Sequence, residues 1–352
     1  MKQLLRHPKI WGGWTSAGLM ILITSLWTLW GASELYYEAW GLPLPEPLYY
    51  LAPSLITLSL TLLALKWPRW GGGLIMLLGA AFTFFIFYSR LGHITLQIIL
   101  SWFPLTFLTL LVGFLFIWGG RAAFYPARLS ASQPWWRRQL RYRLAVGLPI
   151  ILFLGISAWM LPQNLMRVDD GHRGARRISG NGVDLVWAPA GPGWNWQQSW
   201  GGYPSWDMLA FYGVSPVGLK QSDDLPKNHA TQTHMDTLGL CRYLDASGLH
   251  LMSEPQNIWR MPTTHELVQS LVYRGENAHC HWSGKLEQAT CDHKPDKETP
   301  LWAPDEHPIY MWTGDEFDET SAYFVSYNGW IKKQPKDWGN PRHGYRCVRA
   351  PE

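Results

Sequence analysis

Five apolar stretches fill the first half of the chain, and each comes close to the roughly 20 residues that cross a bilayer. They run over residues 11–29, 48–65, 72–88, 94–118 and 144–161. No charged face repeats at helical spacing in any of them, which argues against a buried soluble bundle. After residue 162 the composition changes to scattered acids, His and Asn. Only 16% of the 352 residues are charged, a low figure that the first half explains. The length suits two or three domains.

Lys and Arg in the short loops set the orientation. Lys2, Arg6 and Lys9 precede the first stretch, Lys66 and Arg69 follow the second, and Arg121, Arg128, Arg137, Arg138, Arg141 and Arg143 follow the fourth. With five spans these lie on one side, and the acidic first loop (Glu34, Glu38, Glu46) lies on the other with Arg90 and His93. The N-terminus is therefore expected in the cytoplasm and the polar half outside it, as in a multi-pass protein of the inner membrane. Trp11, Trp14, Trp67, Trp70, Trp102, Trp118, Trp135 and Trp136 sit mostly near the ends of the stretches, as an interfacial belt does. No small-residue cleavage site follows the first stretch, so it is expected to stay as an anchor.

All four cysteines, Cys241, Cys280, Cys291 and Cys347, fall in the polar half. An even number in an oxidising compartment predicts two disulfides, with three possible pairings. Within the apolar stretches Gln97 is the most polar residue. Transport sites leave buried ionisable groups or paired broken helices. Their absence from the sequence favours an anchor or an assembly surface. Gly79 and Gly113 either allow close helix packing or face lipid. The basic run "WWRRQLRYR" (135–143) reads first as the positive-inside signal and second as a grip on anionic lipid or a cytoplasmic partner.

In the polar half, residues 163–182 read as an Arg- and Gly-containing linker, and a strand is expected to begin at Val183 and to stop at Pro189. The segment "THMDTLGLCRYLDASGLHL" reads as a helix capped by Thr233, with Asp236 three residues on and Gly248 at its end. "WRMPTTHEL" repeats the arrangement: Thr263 caps, Glu266 reaches back, and Leu267, Leu271 and Val272 face the core. "PIYMWTG" and "AYFVSYNGWIKKQ" read as strands, with Asn328-Gly329 as a two-residue hairpin turn, and "HGYRCVRA" closes the chain as a strand.

Three of these segments in this order, "LCRYL" (240–244), "WRMPTTHEL" (259–267) and "GYRCVRA" (344–350), resemble the formylglycine-generating (sulfatase-modifying) enzyme family and a related family of bacterial adhesin C-terminal domains. The resemblance covers residues 183–351. It implies a mixed α+β, C-type-lectin-like domain with hairpin-rich loops, in which the helix cysteine and the last-strand cysteine are bridged. That implies Cys241–Cys347, leaving Cys280–Cys291. The enzymes of the family look like copper-dependent oxidases that use a pair of soft thiolates roughly two dozen residues before the terminal motif. The corresponding stretch here, "DETSAYFVSY" (318–327), has no cysteine. The helical iron-binding domain that the sulfoxide synthases of the superfamily carry is also missing. The motif is therefore read as a fold signature without catalytic duty.

Other residue groups admit a functional and a simpler reading. His279, Cys280, His281, Cys291 and His293 contain zinc-type ligands, but the spacing fits no standard finger and a disulfide hairpin is preferred. His229 and His234 read as surface residues. Asp315, Glu316 and Asp318 offer oxygen ligands for calcium, against the reading of a solvated acidic loop, and "DHKPDKE" (292–298) does the same. Asp315 or Glu316 with Glu298 would make a hydrolase pair only at a set separation. Trp194, Trp196, Trp200, Tyr203 and Trp206 sit in a Gly-rich stretch and suit sugar stacking or a protein contact, against a place in the core or on the bilayer surface.

The expected fold is a membrane α-helical region of about five spans (1–162), a linker (163–182) and a C-type-lectin-like α+β domain outside the cytoplasm (183–352). The expected role is a non-catalytic binding or accessory subunit of a membrane protein complex, or a glycan receptor. Its partners are the bilayer and other membrane subunits, with no nucleic acid. No cofactor is expected unless loop calcium is bound. The rival class is a metal-dependent enzyme using a site the resemblance does not anticipate.

Overall fold

The computed structural model describes residues 8–88, 96–125, 135–189, 204–220, 229–339 and 342–352. Lys2, Arg6, Arg90, His93, Arg128 and four of the five loop aromatics, Trp194, Trp196, Trp200 and Tyr203, lie outside these residues. The chain divides into two compact units: residues 1–37 with 43–162, and residues 38–42 with 163–352.

The first unit is helical. Its elements are α1 (Pro8–Tyr37), the short α2 (Glu46–Tyr49), α3 (Ala52–Lys66), α4 (Pro68–Tyr88), α5 (Leu96–Leu115), a π-helical turn Phe116–Gly120, α6 (Arg121–Phe124) and α7 (Trp135–Leu165). Among the described residues the stretches 11–29, 72–88 and 144–161 each fall on one helix, 48–65 is divided between α2 and α3, and 96–118 covers α5 and the π-helical turn. Among the described residues three segments are long and apolar enough to cross a membrane: Pro8–Tyr37, Leu105–Phe124 and Gln139–Leu165. Helix α3 is apolar but has 15 residues, about 22 Å at 1.5 Å per residue, short of a 30 Å hydrocarbon core.

Hydroxyl groups buried in this unit bond inside and between helices. Ser25 and Thr28 donate to Ile21 O and Thr24 O one turn back. Thr24 meets Thr61 at 3.1 Å and Thr28 meets Ser54, tying α1 to α3. Thr83 meets Thr106 at 2.9 Å, tying α4 to α5. Such bonds average about 0.6 kcal/mol in membranes, so close backbone approach matters as much. A Cβ on Gly113 would lie 2.6 Å from Gly72 O, and one on Gly79 would lie 2.5 Å from Thr109 Oγ1. Both glycines therefore sit in helix contacts and do not face lipid.

The second unit is α+β. Residues 163–182 are not a loose linker. Arg167 pairs with Asp296 at 2.8 Å, the Val168 amide donates to Glu298, and Thr299 N donates to Val168 O. Residues Arg176–Gly180 then form β1, paired antiparallel with β2 (Val183–Trp187). Only Ile178 of β1 is buried, which is why its polar sequence reads as linker. Residues 38–42 also belong to this unit, where Glu38 lies 3.4 Å from Arg342.

After β2 come α8 (Trp206–Ala210), α9 (Gln232–Leu238), a 3₁₀ turn Leu240–Tyr243 and α10 (Thr264–Gln269). The helix expected from Thr233 to Gly248 is shorter than that and starts earlier. Thr231 is the cap, accepting from His234 N while His234 Nδ1 accepts from Thr231 N, and the helix ends at Gly239. The Thr263–Glu266 capping box forms as expected. Two small hairpins follow, β3 (Val272–Tyr273) with β4 (Glu276–Asn277) and β5 (Cys280–His281) with β6 (Thr290–Cys291).

The main sheet has the order β10-β7-β8-β9, from β7 (Tyr310–Asp318), β8 (Ser321–Ser326), β9 (Ile331–Pro335) and β10 (His343–Gly344). The β8–β9 turn differs from the two-residue form expected. Gly329 N bonds Ser326 O, and Gly329 alone takes positive φ, at 86°, so the loop has three residues with a left-handed glycine last. The terminal segment is split: β10 joins the main sheet, while β11 (Val348–Arg349) pairs with β2 in the sheet β1-β2-β11. Between them Arg346 is buried and donates to Ala188 O, Pro300 O and Leu301 O at 2.7–2.9 Å. Burial pushes its guanidinium down to about 10. The core around it holds Trp206, Trp259, Trp312, Phe324 and Tyr345.

Candidate functional site

Both expected bridges are present: Cys241–Cys347 joins the 3₁₀ turn to the terminal segment, and Cys280–Cys291 crosses the β5–β6 hairpin. With the hairpin cysteines bonded, the neighbouring histidines do not form a metal set. His293 stacks on Tyr273 at 5.3 Å, and among the described residues no three His, Cys, Asp or Glu side chains gather.

The first bridge lies at a cleft of about 310 Å³. Its walls come from α9, the 3₁₀ turn, the segment entering α10, and β7, and they bring Asp236, Arg242, Arg260, Thr263 and Asp315 together. Chain geometry places them. Arg260 and Val348 exchange both backbone hydrogen bonds, so the strand before α10 is fixed against β11. Arg260 then grips Glu266 with two guanidinium nitrogens, and Glu266 accepts from Thr263 N at 2.8 Å. Burial alone would raise the Glu266 carboxyl, but the bonds from Arg260 and Thr263 outweigh it and hold the group ionised. Asp315 accepts from Thr264 N at 2.6 Å, satisfying another free amide at the start of α10. Arg242 donates to Asp236 O at 2.6 Å, and its buried Nε has no partner. The cleft thus presents two carboxylates and two guanidinium groups beside a bridged sulfur: Arg260 is paired with Glu266, while Arg242, Asp236 and Asp315 bond to backbone or amide groups.

A row of aromatic rings includes Tyr323, which lies within electrostatic reach of Asp315. Phe317 meets Tyr323 at 5.1 Å, Tyr323 meets Trp282 at 5.3 Å, and Trp282 meets His265 at 4.8 Å, with interplanar angles of 58–78°. Edge-to-face contacts of this kind suit the aromatic quadrupole. Phe317 and His265 are exposed, and Tyr323 and Trp282 are partly so. Burial and then the charge of Asp315 raise the Tyr323 phenol, so Asp315 serves both the cleft and the row. None of these four residues stands out in the sequence. The available signal was alternation on β8, where Tyr323 precedes the buried Phe324 and so faces the other way.

Of the expected aromatic surface, Trp206 is described and does not belong to one. It is wholly buried, donates to Thr313 O at 2.9 Å, and has Lys336 Nζ 5.1 Å from its ring. The acidic run is strand β7 and not a loop. Asp315 caps α10, Glu316 pairs with Lys336 at 3.0 Å and with Gln232, and Asp318 pairs with Lys333 at 2.9 Å. Their carboxylates therefore go to three different partners. Glu298 holds Val168 N and Gly275 N, and burial raises its carboxyl. His229 is exposed, and His234 caps α9 and packs on Phe211.

Comparison with protein-family models, with curated proteins and with solved structures returns no match for this chain.

Proposed function

We propose that the chain is a membrane-anchored, non-catalytic recognition subunit. It would span the inner membrane five times, with its N-terminus in the cytoplasm, and display a C-type-lectin-like domain of the formylglycine-generating-enzyme superfamily outside. The observation that carries this reading is the cleft at Cys241. Its sulfur is locked to Cys347, its lining carries Asp236, Arg242, Arg260 and Asp315, and Asp315 is within electrostatic reach of Tyr323 in the aromatic row, a combination that suits recognition.

The five apolar stretches and the Lys and Arg pattern of the loops support the topology. The bridges implied by the family resemblance are also the two that form, and "WRMPTTHEL" makes the capped helix.

Two kinds of occupant suit the cleft. Another subunit of a membrane complex is preferred. The aromatic row beside polar groups favours a glycan as the second reading, because sugar rings stack on aromatic faces while hydroxyls bond to Asp and Arg. Purification from native membranes in mild detergent, followed by mass spectrometry of all that co-purifies, tests the proposal. Stoichiometric membrane subunits lost on Tyr323→Ala support the first occupant. A lone protein that retains oligosaccharide supports the second, and a lone protein with stoichiometric copper, iron or zinc contradicts the proposal.

A further inference from the structure

The two disulfides of the C-terminal unit differ in access. Cys241, Cys347 and Cys280 are each at most 2% exposed, and the first two sit in the core with Trp259 and Tyr345. Cys291 alone of the four is partly exposed. It stands opposite Cys280 in the β5–β6 hairpin, a sheet with two residues per strand that joins no other sheet. Thiol–disulfide exchange depends on access to the attacked sulfur, and exposed bridges are the labile ones.

The two limbs of this hairpin are held unequally. Ala289 N donates to Gly329 O and Ile331 N donates to Glu287 O, which ties residues 287–289 to the β8–β9 turn. Residues 282–286 make no backbone hydrogen bond to another element among the described residues. Trp282 Nε1 donates to Lys285 O at 2.7 Å, a bond inside the loop itself. Trp282 therefore keeps its place between His265 and Tyr323 through its ring contacts and through the short β5–β6 pairing that the bridge closes.

We propose that Cys280–Cys291 is a redox switch, opened by a dithiol, that holds Trp282 in the aromatic row. A thiolate of the dithiol attacks Cys291 Sγ, the Sγ–Sγ bond breaks, and Cys280 leaves as a thiolate that takes up a proton. The second thiol of the reductant then displaces Cys291 from the mixed disulfide. Two electrons and two protons pass to the protein as two thiols, and the reductant becomes a disulfide. Cys241–Cys347 stays closed because both its cysteines are buried. Release of Trp282 removes a central ring of the row. The regulatory consequence rests on the reading of that row as part of a recognition surface.

Titration of the full chain in mild detergent with dithiothreitol, followed by alkylation and peptide mass spectrometry, tests the switch, with amide hydrogen exchange read on the same samples. Cys280 and Cys291 are expected to be alkylated at dithiol concentrations that leave Cys241 and Cys347 unlabelled. Exchange over residues 282–286 should then rise about tenfold or more, within what loss of a short cross-link allows, and exchange over 287–289 should rise less. Cys280→Ser with Cys291→Ser should show the fast exchange without dithiol. In the wild-type chain, reduction of both bridges together, reduction of neither before unfolding, or selective reduction with unchanged exchange at 282–286 would each overturn the proposal. These readouts involve no partner, so a chain that purifies with neither subunit nor glycan would refute the recognition reading and leave the switch standing.

Discussion

Arg167 Nη2 lies 2.8 Å from Asp296 Oδ1, and its Nε lies 3.0 Å from the same oxygen. The Arg167 side chain is 5% exposed. Burial opposes its charge, and Asp296 with the nearby Tyr327 ring more than offsets that, so the guanidinium stays charged. One ion pair thus anchors the chain that leaves α7 to the C-terminal unit.

Asp296→Ala strands that buried guanidinium. It is expected to lower the stability of the C-terminal unit by about 3 kcal/mol, the low end for breaking a buried pair because Asp296 is partly exposed. Limited trypsinolysis in detergent should then cut at Arg167–Arg177 at least as readily as in exposed loops. Unchanged resistance would show that the segment is held by other contacts.

The second prediction concerns pH. His343 is buried among Tyr310, Trp312, Phe324 and Trp338, with ring centroids 4.8–6.2 Å away, and among the described residues neither ring nitrogen has a partner. Burial pushes its pKa down to about 3. A depressed folded-state value means the unfolded chain takes the proton first. Its contribution is therefore fully present above about pH 6.5 and is lost as pH falls toward 3. At pH 5 the loss is about 2 kcal/mol. Urea titrations of tryptophan fluorescence at pH 7.5 and 5 measure it, and His343→Phe should remove most of the difference.

Lys336 is buried and donates to Ala230 O, Glu319 O and Glu316 Oε2 at 2.7–3.0 Å. Lys336→Met should cost about 3 kcal/mol by leaving those acceptors without a donor. Adding Glu316→Gln should cost less than the sum of the single changes, a coupling that a double-mutant cycle reads directly. Strict additivity would mean the ion pair contributes nothing.

The two disulfides are expected to differ. Cys241–Cys347 closes a loop with a sequence separation of 106 and Cys280–Cys291 one of 11. On the chain-entropy account, removing the first costs about 4.7 kcal/mol and the second about 3 kcal/mol. Thermal unfolding of the two double-serine variants should show the larger loss for Cys241→Ser with Cys347→Ser. The reverse order would place the stabilisation in local contacts of the hairpin.

The sequence is legible where a local rule and the tertiary structure agree. Among the described residues the apolar stretches are mostly helical, and Thr263 with Glu266 makes the cap. It misleads where an unusual residue takes a familiar place. His234 fills the position where Glu or Gln is the usual signal, so the cap of α9 appears to be Thr233 when it is Thr231. Strand β1 is hidden because Arg176, Arg177 and Ser179 leave only Ile178 as an inward apolar residue. Asp315 looks like a calcium ligand until α10 is folded against β7 and its carboxylate meets Thr264 N. The aromatic row combines His265, Trp282, Phe317 and Tyr323 from distant segments, and no local pattern announces that.

The proposed function requires a C-terminal unit outside the cytoplasm with its sulfur bridged. Alkylation of thiols in intact cells, followed by intact-mass measurement of the purified chain before and after reduction, tests this directly. No alkylated cysteine is expected before reduction and four after it. Alkylation of Cys241 or Cys347 without reduction would contradict it, and would put a free thiol back into the cleft.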